Sequence, residues 1–265
     1  MSTEHWLLLE RTEHLLPELY QIGEAPDPLR LFDGTELAAC EEESPLLIHA
    51  QANPSLLAAV QREPLAWPGL LLETPATTQE LLPHLRHILF IRFDQERRGV
   101  LRYSRPRTAS YLFPCCDAAT LAIWLGPIQR LSWYGSTWHE LADGQAAWRH
   151  VENQQANLWQ PTASTQELHL SAAQEQALQR QQGEHFLYQW WERQQGIGFQ
   201  TAWDYLSAGM QAGFLTAESL SAYLDLRHAN PHAAPPDALA QGTDQQRLDA
   251  LARHLTQTTD KESSV

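Results

Sequence analysis

Three short runs of consecutive apolar residues constrain this chain more than any other feature. They are Trp6–Leu9, Leu46–His49 and Leu70–Leu72. A strand with one wet face alternates apolar and polar residues; a strand that is apolar position after position needs cover on both faces. Segments of helical period lie between the runs. Glu13–Ile22 places Leu15, Leu16, Leu19 and Ile22 on one side, with Pro17 tolerable only in the first turn. Asn53 is placed to cap a helix that has Pro54 at its first position and Leu56, Leu57 and Val60 as its apolar face. Thr77 or Thr78 caps another, carrying Leu81, Leu82 and Leu85. Asp33-Gly34 marks a turn. The repeated strand–helix–strand order implies an α/β layer.

Seven of the 18 basic residues fall between Arg86 and Arg107, in a chain whose formal net charge is −14. All seven are arginines: Arg86, Arg92, Arg97, Arg98, Arg102, Arg105 and Arg107. Apolar and aromatic residues between them suggest a β-hairpin that adds antiparallel strands, its arginines outside. Arginine makes planar, bidentate contacts and is enriched at interfaces, so Arg97, Arg98, Arg102, Arg105 and Arg107 are candidate partner-binding residues. The alternative is a solvated face neutralised by nearby Asp and Glu. Trp133–His139 and Ala146–Val151 read as further strands.

The composition then shifts. Residues 152–170 are rich in Gln, Asn, Ser and Thr and read as a linker. Ser171 is placed to cap a long helix reaching about Gln195, with Phe186, Leu187, Trp190 and Trp191 on one face and Gly196 to close it. A second helix, from about Phe199 to Ala212, carries Trp203, Leu206 and Met210; a third is capped by Thr216, carries Leu220, Tyr223 and Leu224, and ends at Asn230-Pro231. The expected fold is α/β (α+β): a mixed β-sheet lobe with flanking helices over residues 1–151, the linker, a smaller all-helical C-terminal lobe over 171–230, and a flexible connector and tail over 231–265 with a short helix around Leu248, Leu251 and Leu255. A three-helix lobe is small for so many large rings, so Trp190, Trp191 and Trp203 join the arginines as candidate partner-binding residues.

The balance of 18 basic against 32 acidic residues argues against a general nucleic-acid or anionic-membrane binder. The first residues lack the basic start and the apolar length of a secretory signal, and no stretch approaches the roughly 20 apolar residues of a membrane span. Three cysteines, Cys40, Cys115 and Cys116, give neither a disulfide framework nor a zinc spacing. A cytoplasmic protein is expected.

The chemical motifs are sparse. YGSTW at 134–138 lacks the second glycine of a nucleophile elbow, so Ser136 near His139 reads as a turn serine. No dinucleotide or Walker loop is present. His84 and His87 stand three apart but lack a third ligand, Cys115-Cys116 reads as packed thiols, and Asp225 with His228 reads as a surface pair. The expectation is no catalytic residue, no metal and no cofactor.

The order of segments resembles the adaptor or chaperone family of bacterial type VI secretion systems, which carries a domain catalogued only as a domain of unknown function. The matching pieces are HWLLLERTEHLLPELYQIG, LRLFDGTEL, SPLLIHA, WPGLLLETPATTQELLPHLRHILFIRF, GVLRYSRPRTASYLFP and LAIWLGPIQRL, across roughly residues 5–135, with GFLTAESLSAYLDL similar to the family's closing helix. Where the family often has an Asp-Pro-Arg step, this chain has Arg105-Pro106-Arg107, and the role of that Asp does not carry over. The resemblance implies a loading factor that holds a toxic effector and docks it to the C-terminal region of the VgrG spike, with no catalytic residues. An immunity protein that plugs a toxin, or an α/β enzyme with a helical lid, remains as an alternative.

Overall fold

The computed structural model describes residues 3–94, 97–161, 167–234, 236 and 241–262. The chain divides into two compact units, Met1–Gln181 and Gln182–Val265. In chain order the first contains β1 (Glu4–Leu9), α1 (Leu15–Ile22), β2 (Leu29–Arg30), β3 (Leu46–His49), α2 (Pro54–Arg62), β4 (Gly69–Thr74) and α3 (Thr78–His87). Then come β5 (Phe90–Phe93), β6 (Arg97–Val100), α4 (Pro106–Leu112), α5 (Ala118–Leu125), β7 (Arg130–Gly135), α6 (Trp138–Ala142), β8 (Ala147–Glu152) and β9 (Leu168–His169). The boundary falls inside α7 (Ala172–Trp191).

The fold is mixed, as expected: sheets with flanking helices, and a helical C-terminal region. The main sheet has the order β2-β3-β1-β4-β7-β8, with every neighbouring pair antiparallel. β3 and β4 both oppose β1, so they run the same way, and α2 is a crossover between them with β1 inserted. The expected Arg-rich hairpin forms as β5–β6, but it builds a second sheet with β9, in the order β6-β5-β9. Apolar runs reveal two-sided burial; they do not encode the direction of the partner strand.

β1 explains why both faces must be covered. Trp6 and Leu8 enter one core with Leu70, Leu72, Leu131 and Trp133, while Leu7 and Leu9 enter the other with Leu46 and Ile48. Alternation along the strand sends neighbours to opposite faces. α1 and α2 close the second face through Leu15, Leu19, Leu56 and Val60. α3, α4 and α5 close the first through Leu81, Leu85, Leu112, Trp124 and Leu125. Gly69 pairs with Leu9, and a Cβ there would stand 2.3 Å from the Leu8 carbonyl oxygen, so β4 can begin only on a glycine.

Local readings are corrected at several points. Asn53 precedes α2, but its side chain does not cap it: Nδ2 donates to the carbonyls of Ala25 and His49, and Oδ1 accepts from the Ala25 amide at 2.9 Å. Asn53 thus ties the loop after α1 to the end of β3. The expected strand at Trp133–His139 is β7 shifted upstream, and Glu140 accepts from the Thr137 amide and hydroxyl to open α6 at Trp138. Much of the expected linker is packed into the first unit. Asn153 is buried and donates to the Gly126 carbonyl at 2.8 Å, and Leu168–His169 pairs with β5; residues 162–166 of that linker lie outside the described residues. Ser171 does cap α7, exchanging hydrogen bonds with Gln174.

The second unit consists of the later part of α7, α8 (Phe199–Gln211), α9 (Ala217–Ala229) and α10 (Asp244–Glu262). α7 ends at Trp191, before Gln195. α9 packs against both α8 and α10, and Thr216 accepts from the Ser219 amide at its start. α10 is much longer than the turn or two expected, because Leu248, Leu251 and Leu255 are all buried. Residues 235, 237–240 and 263–265 of the expected connector and tail lie outside the described residues. Among the described residues no helix is long and apolar enough to cross a membrane.

Leu8 is fully buried in β1, so Leu8→Ala leaves a cavity and is expected to cost about 2–5 kcal/mol. Tyr20→Ala, at an exposed position of α1, is expected to stay within about 0.5 kcal/mol. Chemical denaturation midpoints at constant slope distinguish the two.

Candidate functional site

The arginines do not form one outward-facing patch. Most of the carboxylates they meet, Glu10, Glu36, Glu43 and Glu167, come from distant parts of the chain, whereas Asp94 lies beside the hairpin's own strand. Arg98 makes a bidentate pair with Glu36 at 2.6 and 2.7 Å and also bonds Glu167. That pairing lowers the pKa of Glu36 and raises that of Arg98. Arg97 lies 3.6 Å from Asp94, with its side chain 70% exposed. Aromatic rings meet these arginines as well: Arg97 lies over Phe93 and Arg98 over Phe90, both within the segment, and Arg102 lies over Phe32 and Arg107 over Trp138, from outside it. Cation–π contact draws these guanidinium groups to the aromatic rings, and their donors also reach carboxylates.

The segment RYSRPR, 102–107, is a structural clamp. Buried Glu10, just past β1, accepts from Arg102 Nη2 at 2.9 Å and from the Ser104 hydroxyl, and lies 3.5 Å from Arg105 Nε. Tyr103 is buried between them and donates to the Leu85 carbonyl at 2.8 Å; burial, then the Glu10 charge, push its pKa up. Pro106 opens α4. Arg107 donates to the carbonyls of Ser136 and Thr137 and to Ser136 Oγ at 3.2 Å. Of the five candidate arginines, Arg97, Arg98 and Arg105 are the more exposed, although Arg98 and Arg105 also pair with the chain's own carboxylates; Arg102 and Arg107 are more enclosed and hold the chain's own atoms.

The remaining chemical candidates are occupied structurally. Ser136 is buried with Arg107 on its hydroxyl, and His139 pairs with Asp143 at 3.6 Å. His84 is buried between helices, its Nε2 3.0 Å from the Trp124 carbonyl and its ring edge-on to Trp159. Burial drives its pKa down to about 4. Gly126, at φ +54°, lies against the His84 ring, where any Cβ would clash at 2.4 Å. Cys115 and Cys116 both donate to the Leu112 carbonyl, and burial pushes the Cys116 thiol up to about 12.

In the second unit the tryptophans pack inward or partly so. Trp190 is buried and donates to Asp225 at 2.8 Å, with His228 edge-on at 5.9 Å. Asp225 and His228 therefore meet on one indole ring. Trp191 is half-buried, donates to the Ile197 carbonyl, and meets Tyr188 at a tilt and Phe199 edge-on. Trp203 packs on Gly183, which has room for no more than a tight Cβ contact at 3.3 Å. Among the described residues, the exposed large apolar side chains of this unit are Met210 and Leu215.

A cleft in the first unit went unnoticed in the sequence. It has a volume of about 810 Å³ and lies between one face of α3 (Gln79, Glu80, Pro83, His84, His87), one face of α5 (Ala119, Ala122, Ile123) and residues within 155–161 and 167–169. Ile123 is 59% exposed and Leu158 78% exposed. The signal was present: α5 reads AATLAIWL, a surface helix with no charged residue.

Residues 5–122 match the family model described as Domain of unknown function (DUF4123). No curated protein and no solved structure matches the chain.

Two predictions follow from the buried charges. Glu10→Ala leaves Arg102 half-desolvated without its principal partner and is expected to destabilise by about 3–5 kcal/mol in chemical denaturation, with Glu10→Gln intermediate. His84 protonates near 6.5 when unfolded but only near about 4 when folded, so the unfolded chain binds the extra proton between those values. Stability is complete above pH 6.5 and is expected to fall by roughly 3 kcal/mol toward pH 4, a loss that His84→Gln removes.

Proposed function

We propose that this protein is an adaptor of a bacterial type VI secretion system: it holds a toxic effector in the cytoplasm and loads it onto the C-terminal region of a VgrG spike. One observation carries the reading. The DUF4123 match over residues 5–122 falls on the same ordered segments, from β1 through α5, that resemble the adaptor family. The geometry supports it in a second way. The residues with nucleophilic or ligand chemistry, Ser136, His84, Cys115 and Cys116, are bonded into the fold. The exposed features are arginine edges and apolar side chains, which suit contact with other polypeptides. An adaptor makes and breaks no bond of its own, and it must release its cargo. Contacts made to a cargo through exposed side chains such as Arg97 suit release, because exposed ion pairs are modest and screened.

The protein is expected to co-purify with a VgrG spike and a toxic effector from the lysate of its own source. In Arg97→Glu/Arg98→Glu, with folding checked by circular dichroism, retention of at least one of them is expected to drop about tenfold. Unchanged retention of both assigns these arginines to ordinary surface. Retention of neither by the unaltered protein contradicts the adaptor reading.

A further inference from the structure

We propose that the cleft between α3 and α5 is a docking groove for an amphipathic helix of a partner polypeptide, one with an apolar stripe facing inward and Lys or Arg on its flanks. This rests on the protein-binding reading above and names the surface and chemistry by which one partner is held.

Three observations fix the occupant. The first is shape. Two walls of the cleft are helices, and α3 presents Gln79, Pro83 and His87 at successive turns. At 1.5 Å per residue, the ten residues of α3 make a wall of about 15 Å, the length of a helix of about ten residues. Ala119 and Ala122 sit one turn apart on α5 and let another helix approach to the close spacing of packed helices, about 8–10 Å.

The second is the lining. Pro83, Ala122, Ile123, Leu158, Trp159 and Leu168 supply apolar surface. Leu158 and Ile123 project into solvent at 78% and 59% exposure, where neither contributes to the chain's own core. Exposed aliphatic residues flanking a concave surface mark a partner site more often than a solvated one.

The third is charge. Among the described residues lining the cleft, Glu80 and Glu167 are the formally charged groups, and no Lys or Arg lines it. Glu80 is held ionised, its pKa lowered by the Thr77 amide and hydroxyl. Glu167 is ion-paired with Arg92 and Arg98, so Glu80 is the lining carboxylate that no arginine offsets. The cleft belongs to a chain of net charge −14, so its field favours cationic flanks and repels acidic ones.

The test uses the full-length protein and a synthetic helical peptide of about 15 residues, with Leu and Ala on one face and Lys on the other. Two controls have Glu in place of Lys, or a scrambled order that breaks the stripe. Calorimetry is expected to show binding of the Lys peptide, about tenfold weaker binding of the Glu peptide, and none of the scrambled one. Amide exchange is expected to slow in α3 and α5. Ile123→Lys changes a side chain outside the core, and Ala122→Trp fills the floor; each is expected to weaken the peptide about tenfold. Equal binding by Ile123→Lys, or protection confined to other elements, overturns the proposal. So does a shift from dimer to monomer in Ile123→Lys by sedimentation, which would make the cleft a self-interface. If Ile123→Lys keeps spike and effector as well as the unaltered protein does, the groove assignment fails while the adaptor reading stands. If the unaltered protein holds neither, the adaptor reading fails, and the peptide results judge the groove by themselves.

Discussion

Everything in the first unit follows from the burial of β1 on both faces. Leu7, Leu8 and Leu9 are essentially inaccessible to water. A strand of this kind cannot sit at an edge, and here it lies between β3 and β4, with helices above and below. Each large aliphatic side chain taken fully out of water contributes roughly 1.5–3 kcal/mol. That gain requires α1 and α2 on one face and α3, α4 and α5 on the other. The chain immediately past β1 extends the same logic to polar contacts. Glu10 is buried at the strand's end and draws in Arg102, Ser104 and Arg105, which sets where α4 begins. Arg107, one turn further on, fixes the loop after β7. The arginine-rich segment is thus a connector between strand, helix and loop before it is anything else.

That dual role sharpens the functional argument. Arginines that grip a partner must keep donors free, and arginines that hold the fold must not. Arg102 and Arg107 belong to the second kind, with side chains largely enclosed and several acceptors each. Arg97 and Arg105 keep most of their surface. The apolar counterpart is α5, whose inner residues Trp124 and Leu125 anchor the core while Ile123 faces outward. A helix without charge on its outer face is a poor solvent boundary and a good docking surface.

Much of this was legible in the sequence, and the exceptions have physical causes. The apolar runs announced β1, β3 and β4, and the helices between them, because two-sided burial leaves a composition signature. Strand direction left none, so an antiparallel sheet was not distinguishable from a mixed one. The T-x-x-E pattern at Thr137–Glu140 signals a helix start, but the aromatic run through Trp133 and Tyr134 suggested a longer strand. The polar composition of 152–170 suggested a tether, yet a single buried Asn153 and two residues of β9 suffice to pack much of it. Polar residues likewise concealed the length of α10 around Leu248, Leu251 and Leu255. The arginine partners could not be read at all, since Glu10 and Glu36 return to Arg102 and Arg98 across 92 and 62 positions. The cleft was missed because its walls come from three separate segments.

In the function proposed above, this chain acts by holding other polypeptides. The most direct measurement is toxin delivery by a strain lacking the gene. Export of the effector that co-purifies with the protein is predicted to collapse while the secretion machinery still fires and the strain stays immune to that toxin. Undiminished export from the deletion strain would contradict the claim.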